Sequence, residues 1–272
     1  MDYHYRDFTE DNYRRLLGIA KQSYEFINVR DYRREYDGKV IINRHDLDGS
    51  VHRAAKISAI EKEEGVSSVY FVYLHSHFYN AFERGVTDLL KGIVSNGHEI
   101  GLHYEPWFYG LDSHDVSRGE VVSVQGGDVG ARVGNVGVRD KFEHYLLYEK
   151  HIIEALLDVK ISAFSFHNPD KGGWTSFGDE TVCGLINMYS NYFKENYGYC
   201  SDSDGHWRYR RLEDVLLKAE EDRLQILTHL EWWTPDIMKP RERVLRCAEG
   251  RLEAAMRQHD ENMEAMGRVN EK

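Results

Sequence analysis

Lys39-Val40-Ile41-Ile42-Asn43-Arg44-His45-Asp46-Leu47-Asp48-Gly49-Ser50 is the stretch on which the reading of the chain turns. A short β-branched run, Val40 to Ile42, gives way to Arg-His-Asp-Leu-Asp, and the Gly-Ser that follows opens a segment with helical periodicity. The pattern predicts strand, functional loop, helix. On an extended backbone residues i and i+2 project to the same side, so Asp46 and Asp48 share one small space. Two crowded carboxylates repel unless a cation lies between them or one keeps its proton. The pair points to a metal ion or a shared proton, although an isolated Asp-Leu-Asp serves as readily as a turn followed by a helix cap.

Working outward, apolar periodicity predicts amphipathic helices over residues 9–23 and 51–64, the second stopped by Gly65. A strand over 68–74 ends at His75-Ser76-His77, a helix over 86–95 closes at Asn96-Gly97, and a strand over 98–103 runs into Tyr104-Glu105-Pro106-Trp107. Residues 117–138 are rich in Gly and Val without periodicity and read as a long loop, a lid or an interface loop. A helix over 141–157 leads to a strand over 161–166 that ends at His167-Asn168-Pro169. Next come a helix near 175–183, a short strand near 184–189, a loop over 200–207, a helix over 212–220 and a strand over 224–228 ending at His229. The tail, 240–266, is a charged helix with Leu245, Ala248, Leu252, Ala255 and Met256 on one side, which reads as an edge helix with a solvated face. Strands alternating with helices predict a parallel sheet, open or closed into a barrel, with chemistry at the carboxyl ends of the strands.

With 272 residues, 41% of them hydrophobic, the chain can build one large core, and with four prolines and no Pro/Ser-rich linker it reads as a single domain over 1–272. A net charge of −11 argues against nucleic acid or an anionic membrane as a partner. No membrane span is evident, and Met1-Asp2-Tyr3-His4-Tyr5-Arg6 lacks the basic start and apolar segment of a secretory signal, so a cytoplasmic location is expected. Cys183, Cys200 and Cys247 are an odd number without metal-ligand spacing and read as reduced thiols.

Four apolar runs end where an Asp or a His follows, so Asp46/Asp48, His103, His167 and His229 should converge on one face. His98 and His103, five apart on one strand, lie on opposite faces some ~16 Å apart and cannot bind one metal, which leaves His98 structural. One carboxylate with neutral imidazoles is a common zinc set, and a second carboxylate can take the proton of a metal-bound water.

The segments His45-Asp46-Leu47-Asp48, Val-Ser-Ser-Val-Tyr-Phe, Gly97-His98-Glu99-Ile100-Gly101-Leu102-His103, Asp202-Ser203-Asp204-Gly205-His206-Trp207 and Leu227-Thr228-His229-Leu230-Glu231-Trp232-Trp233 follow one another in order. Together, over residues 40–233, they resemble the polysaccharide deacetylase family, and more closely its branch from bacterial surface-polysaccharide (O-antigen or capsule) gene clusters. The resemblance implies an α/β fold, a distorted, TIM-like (β/α) barrel of parallel strands, and hydrolysis of a sugar N-acetyl group with Zn2+ or another divalent transition metal. The substrate class it implies is an N-acetylated sugar, nucleotide-linked, lipid-linked or part of an oligosaccharide; an oligomer is compatible with it. By position, Asp46 matches the general base, Asp48 the metal carboxylate, His103 the first metal histidine, Asp202 the motif that lines the groove and His229 the general acid. Trp107, Trp207, Trp232 and Trp233, with Tyr104, are aromatic surfaces on which sugar rings can stack.

Two positions depart from the family pattern. The usual second metal histidine, four residues after the first, is Trp107, and the Arg-x-Pro motif whose arginine supports the base is replaced by His167-Asn168-Pro169. His167 is then expected as the third metal ligand, with Glu105, His75 and His114 as weaker candidates. The alternative is a catalytically silent, carbohydrate-binding or assembly protein that has lost the metal.

Overall fold

The structure is a computed structural model that describes residues 4–118, 121–122 and 136–270. In chain order its helices are α1 (Glu10–Ala20), α2 (Val51–Glu64), α3 (Arg84–Ser95), α4 (Ser113–Arg118), α5 (Val138–Leu157), α6 (Asn191–Asn196), α7 (Leu212–Lys218) and α8 (Pro240–Ala265). Its strands are β1 (Tyr24–Phe26), β2 (Lys39–Leu47), β3 (Val69–Val72), β4 (Glu99–Tyr104), β5 (Val121–Val122), β6 (Val136–Gly137), β7 (Ala163–Phe166), β8 (Thr181–Val182), β9 (Leu185–Asn187), β10 (Gly198–Ser203), β11 (His206–Trp207) and β12 (Arg223–His229). Of the expected long loop 117–138, the short antiparallel pair β5–β6 is described; 119–120 and 123–135 lie outside the described residues.

One sheet carries the strands in the order β11-β10-β12-β2-β3-β4-β7-β9-β8, with β1 added beside the start of β2. From β10 through β9 every neighbouring pair is parallel, as the alternation of strands and helices predicts. The ring is not closed. Antiparallel pairs, β10–β11 and β8–β9, occupy its two edges. The sheet nevertheless curls so far that the Tyr189 hydroxyl, just beyond β9, accepts a hydrogen bond from Arg44 on β2. Helices α7, α1, α2, α3 and α5 pack side by side on the outside.

β2 shows how the sequence builds this. Val40 and Ile42 point into the barrel interior with Val69, Phe71 and Ala163, whereas Ile41 joins the layer between sheet and helices. The interior is tight: a Cβ on Gly101 would lie 2.4 Å from the Phe71 ring, so the glycine of the Glu-Ile-Gly-Leu strand makes room for a core aromatic. Ser50 caps α2 by accepting from the Arg53 N–H at 3.2 Å, and Gly65 ends it at φ 69°.

Several elements differ from expectation. β2 continues through Asp46 to Leu47, so Asp46 is a strand residue and the loop is only Asp48-Gly49-Ser50. The expected helix 175–183 is a short 3-10 turn (Trp174–Ser176) followed by β8. The expected loop 200–207 is mostly strand, because residues 198–203 pair with β12 and His206-Trp207 fold back on them. On α8 the apolar side is the exposed one: Leu245, Leu252 and Met256 face outward, while Arg243 is the buried residue. The three cysteines are unpaired, and among the described residues no helix is long and apolar enough to cross a membrane.

Candidate functional site

From Arg44 onward every second residue, Arg44 and Asp46 on β2 and Asp48 just beyond it, lies on the side of a cleft at the carboxyl ends of the parallel strands. Asp46, Asp48, His103 near the end of β4, His167 after β7, Asp202 at the end of β10 and His229 at the end of β12 all line it, in a volume of about 300 Å³. The structure thus gathers the predicted Asp46, Asp48, His103, His167 and His229.

Three of these sit closest. Asp48 Oδ1 is 3.1 Å from His103 Nε2 and 3.6 Å from His167 Nδ1, and the two ring nitrogens are 3.2 Å apart. Asp48 Oδ1 is buried and, among the described residues, has no hydrogen-bond partner. A zinc ion with ligand bonds of about 2.0–2.2 Å in tetrahedral geometry separates its ligand atoms by roughly 3.3–3.5 Å. The observed edges bracket that spacing, so the three side chains fit a divalent metal, and among the described residues no other group of three or more His, Cys, Asp or Glu does so. Burial alone would raise the Asp48 carboxyl; His103, His167 and His229 hold it well below the usual carboxylate range.

The two histidines are oriented from behind. His103 Nδ1 lies 2.6 Å from Ser165 Oγ, and Ser165 donates in turn to Asp46 Oδ1 at 3.1 Å. With its one proton committed to Asp46, Ser165 accepts from His103 Nδ1–H, which leaves the Nε2 lone pair facing Asp48 and His167. His167 stacks on Tyr73 (centroids 4.2 Å apart), whose hydroxyl donates to Glu105 at 2.6 Å. Glu105 is therefore occupied by Tyr73. His75 is likewise engaged elsewhere, by Glu149 at 2.9 Å, and His114 lies on the surface. His98, 2.9 Å from the Ser58 carbonyl, is structural as expected.

Asp46 has a partner that reasoning from the sequence missed. Fully buried Arg44 donates to Asp46 Oδ2 at 3.2 Å and to Tyr189 at 3.1 Å. The same i, i+2 rule that pairs Asp46 with Asp48 places Arg44 on their side, and this was the available signal. An arginine from within β2 thus stands against Asp46 in a chain that lacks Arg-x-Pro.

Across the cleft, His229 presents Nε2 at 3.8 Å from Asp48 Oδ2, while its Nδ1 is 2.6 Å from Asp202 Oδ1 and its backbone N–H donates to the same carboxylate. Burial would lower the His229 imidazole; Asp202 and Asp48 outweigh it and hold the ring well above its ordinary value. Asp202 lines the cleft as expected but is 2% exposed, with its carboxylate turned to the His229 ring and backbone. Glu231 packs behind Gly49, and burial together with Asp48 pushes its carboxyl up to about 8.

The expected sugar-stacking tryptophans do not line this cleft. Trp207 is buried, stacked on Phe8 and donating to Asp7 at 3.0 Å, and Trp232 and Trp233 are buried too; all three serve the core. Trp107 is half exposed beneath Lys171, outside the lining, and Tyr104 is fully buried. The aromatic walls are instead Phe166, Tyr189, Tyr199 and the exposed Tyr209.

No family model and no curated protein matches the chain. Among solved structures it is similar to a family 4 carbohydrate esterase from Bacillus anthracis, at 14% identity and a TM-score of 0.40 over 89% of this chain and 86% of that one. It is also similar to the Streptococcus pyogenes deacetylase PplD in complex with acetate, at 14% identity and a TM-score of 0.39 over 87% and 85%. At such low values the side chains of this chain alone carry the functional reading.

Proposed function

We propose that this protein is a metal-dependent hydrolase that removes the N-acetyl group from an amino sugar, acting on a nucleotide-linked, lipid-linked or oligosaccharide substrate in bacterial surface-polysaccharide (O-antigen or capsule) synthesis. The observation that carries the proposal is the triangle of Asp48 Oδ1, His103 Nε2 and His167 Nδ1, with edges of 3.1, 3.2 and 3.6 Å, beside the Asp46 carboxylate and the His229 imidazole.

Asp48, His103 and His167 would hold Zn2+ or another divalent transition metal. When bound, such an ion polarises a carbonyl oxygen and lowers the pKa of water toward neutrality. Asp46, oriented by Arg44 and Ser165, takes the proton of the attacking water. His229, charged by its contact with Asp202, gives its Nε2 proton to the departing sugar nitrogen. Acetate and an amino sugar leave. The acid role needs a protonated ring, and the buried Asp202 carboxylate beside His229 favours it.

A silent, carbohydrate-binding descendant is favoured by Trp107 in the place of the family's second histidine. It is disfavoured by a base, an acid and three ligand atoms retained in register. Elemental mass spectrometry after zinc loading and desalting separates the two readings. About one zinc per wild-type chain is expected, lost in His167→Ala, with acetate released from N-acetylated sugars by the wild type only. A wild-type protein that retains no metal and releases no acetate would sink the hydrolase reading.

A further inference from the structure

α8 is 26 residues long, about 39 Å at 1.5 Å per residue, yet Arg243 is its one fully buried residue. Its main seat on the body is Leu230–Trp232, reinforced where Arg243 donates to the carbonyls of Tyr5 and Phe8 and where Arg251 pairs with Glu83. The opposite side is apolar and open: Leu245 is 55% exposed, Leu252 63% and Met256 53%, with Ala248 and Ala255 between them. These positions recur at spacings of three and four, the seam of a two-helix coiled coil. A helix so exposed gains little from its own propensity, so its stability calls for a partner along that seam.

We infer that this seam is a homodimer interface, in which α8 of one chain lies antiparallel to α8 of a second copy. Two features of the helix select the occupant. The first is shape. With the two-fold axis level with residue 250, Leu252 faces Ala248 of the second copy, Leu245 faces its Ala255, and Val244 faces its Met256. Leucine meets alanine at two of the three levels, and the contact is self-complementary, as a two-fold interface requires. The second is charge. The start of the helix is net basic, with Lys239, Arg241, Arg243 and Arg246 against Glu242 and Glu249, and its end is net acidic, with Asp260, Glu261 and Glu264 against Arg257. Antiparallel pairing sets each acidic end against the other chain's basic start, whereas parallel pairing stacks like charges.

Sedimentation velocity of the full-length protein at ~50 μM is expected to give a dimer. Leu252→Glu and Leu245→Glu, both at exposed positions, should each yield monomers, raising the dissociation constant at least ~100-fold by burying a charge in the seam, with helix content and zinc uptake unchanged. On a Cys247→Ser background, oxidation of a mixture of Ala248→Cys and Leu252→Cys chains should cross-link one to the other. A monomeric wild type, a Leu252→Glu chain that remains dimeric, or Leu252→Cys chains that cross-link only to themselves would overturn the proposal.

Discussion

The two faces of β2 bury comparable polarity and treat it differently. On the outer face Asn43 and His45 meet Glu61 of α2, whose Oε1 accepts from Tyr13 at 2.6 Å, Asn43 at 2.7 Å, Ser68 at 2.8 Å and His45 at 2.8 Å, while its other oxygen takes the Tyr70 hydroxyl. On the inner face Asp46 and Asp48 line the cleft beside buried Arg44, and among the described residues Asp48 Oδ1 has no hydrogen-bond partner. Both sets contain a carboxylate and histidines, so composition alone does not separate structure from function. The carboxylates do: both oxygens of Glu61 accept from their neighbours, whereas one oxygen of Asp48 does not.

Three experiments bear on that contrast. The largest effect should come from the inner face. His229→Gln, which keeps a donor toward Asp202, is expected to lower kcat roughly 10³-fold while zinc content and the urea midpoint stay near wild type; a matching loss of stability would erase the distinction between the faces. Next, Glu61→Gln should cost about 3 kcal/mol in urea unfolding, since it leaves His45 and its neighbours around a neutral acceptor, and the folded fraction should still bind zinc. The smallest and most diagnostic change is with pH. Burial would raise the Glu61 carboxyl, but His45, His98 and its hydrogen-bond donors bring it down to about 2. Because the unfolded chain takes up this proton near pH 4.3, the stabilisation is full above about pH 5 and is lost as pH falls toward 2, up to about 3 kcal/mol. Unfolding curves across that window should show the loss in wild type and a shallower one in Glu61→Gln.

Much of the fold was legible because the β-branched runs and helical stripes are strong and regular: β2, α2, β4, α5 and β12 stand within a few residues of their predicted places. Local pattern failed where tertiary pairing decides. Cys200-Ser201-Asp202-Ser203 looks like a loop, yet β12 recruits it as a strand. The strand-end rule placed five site residues in one cleft, because parallel topology carries every carboxyl end to the same rim. Trp207 and Trp232 misled, since an aromatic in a motif carries no mark that tells a core face from a cleft face. The side of α8 was equally unreadable: periodicity reveals that a helix has an apolar stripe, not which surface covers it.

Ser165 offers a last consequence. A hydroxyl owns a single hydrogen, so it can point one way at a time, and here it stands between His103 Nδ1 on one side and Asp46 Oδ1 on the other. With that hydrogen turned to Asp46, the hydroxyl can only accept from His103, and the imidazole offers its bare Nε2 to Asp48 and His167. Turning it the other way would place the imidazole hydrogen on Nε2, facing those two side chains. One rotor therefore sets the tautomer of the ring beside it, from outside the triangle that the ring helps to form.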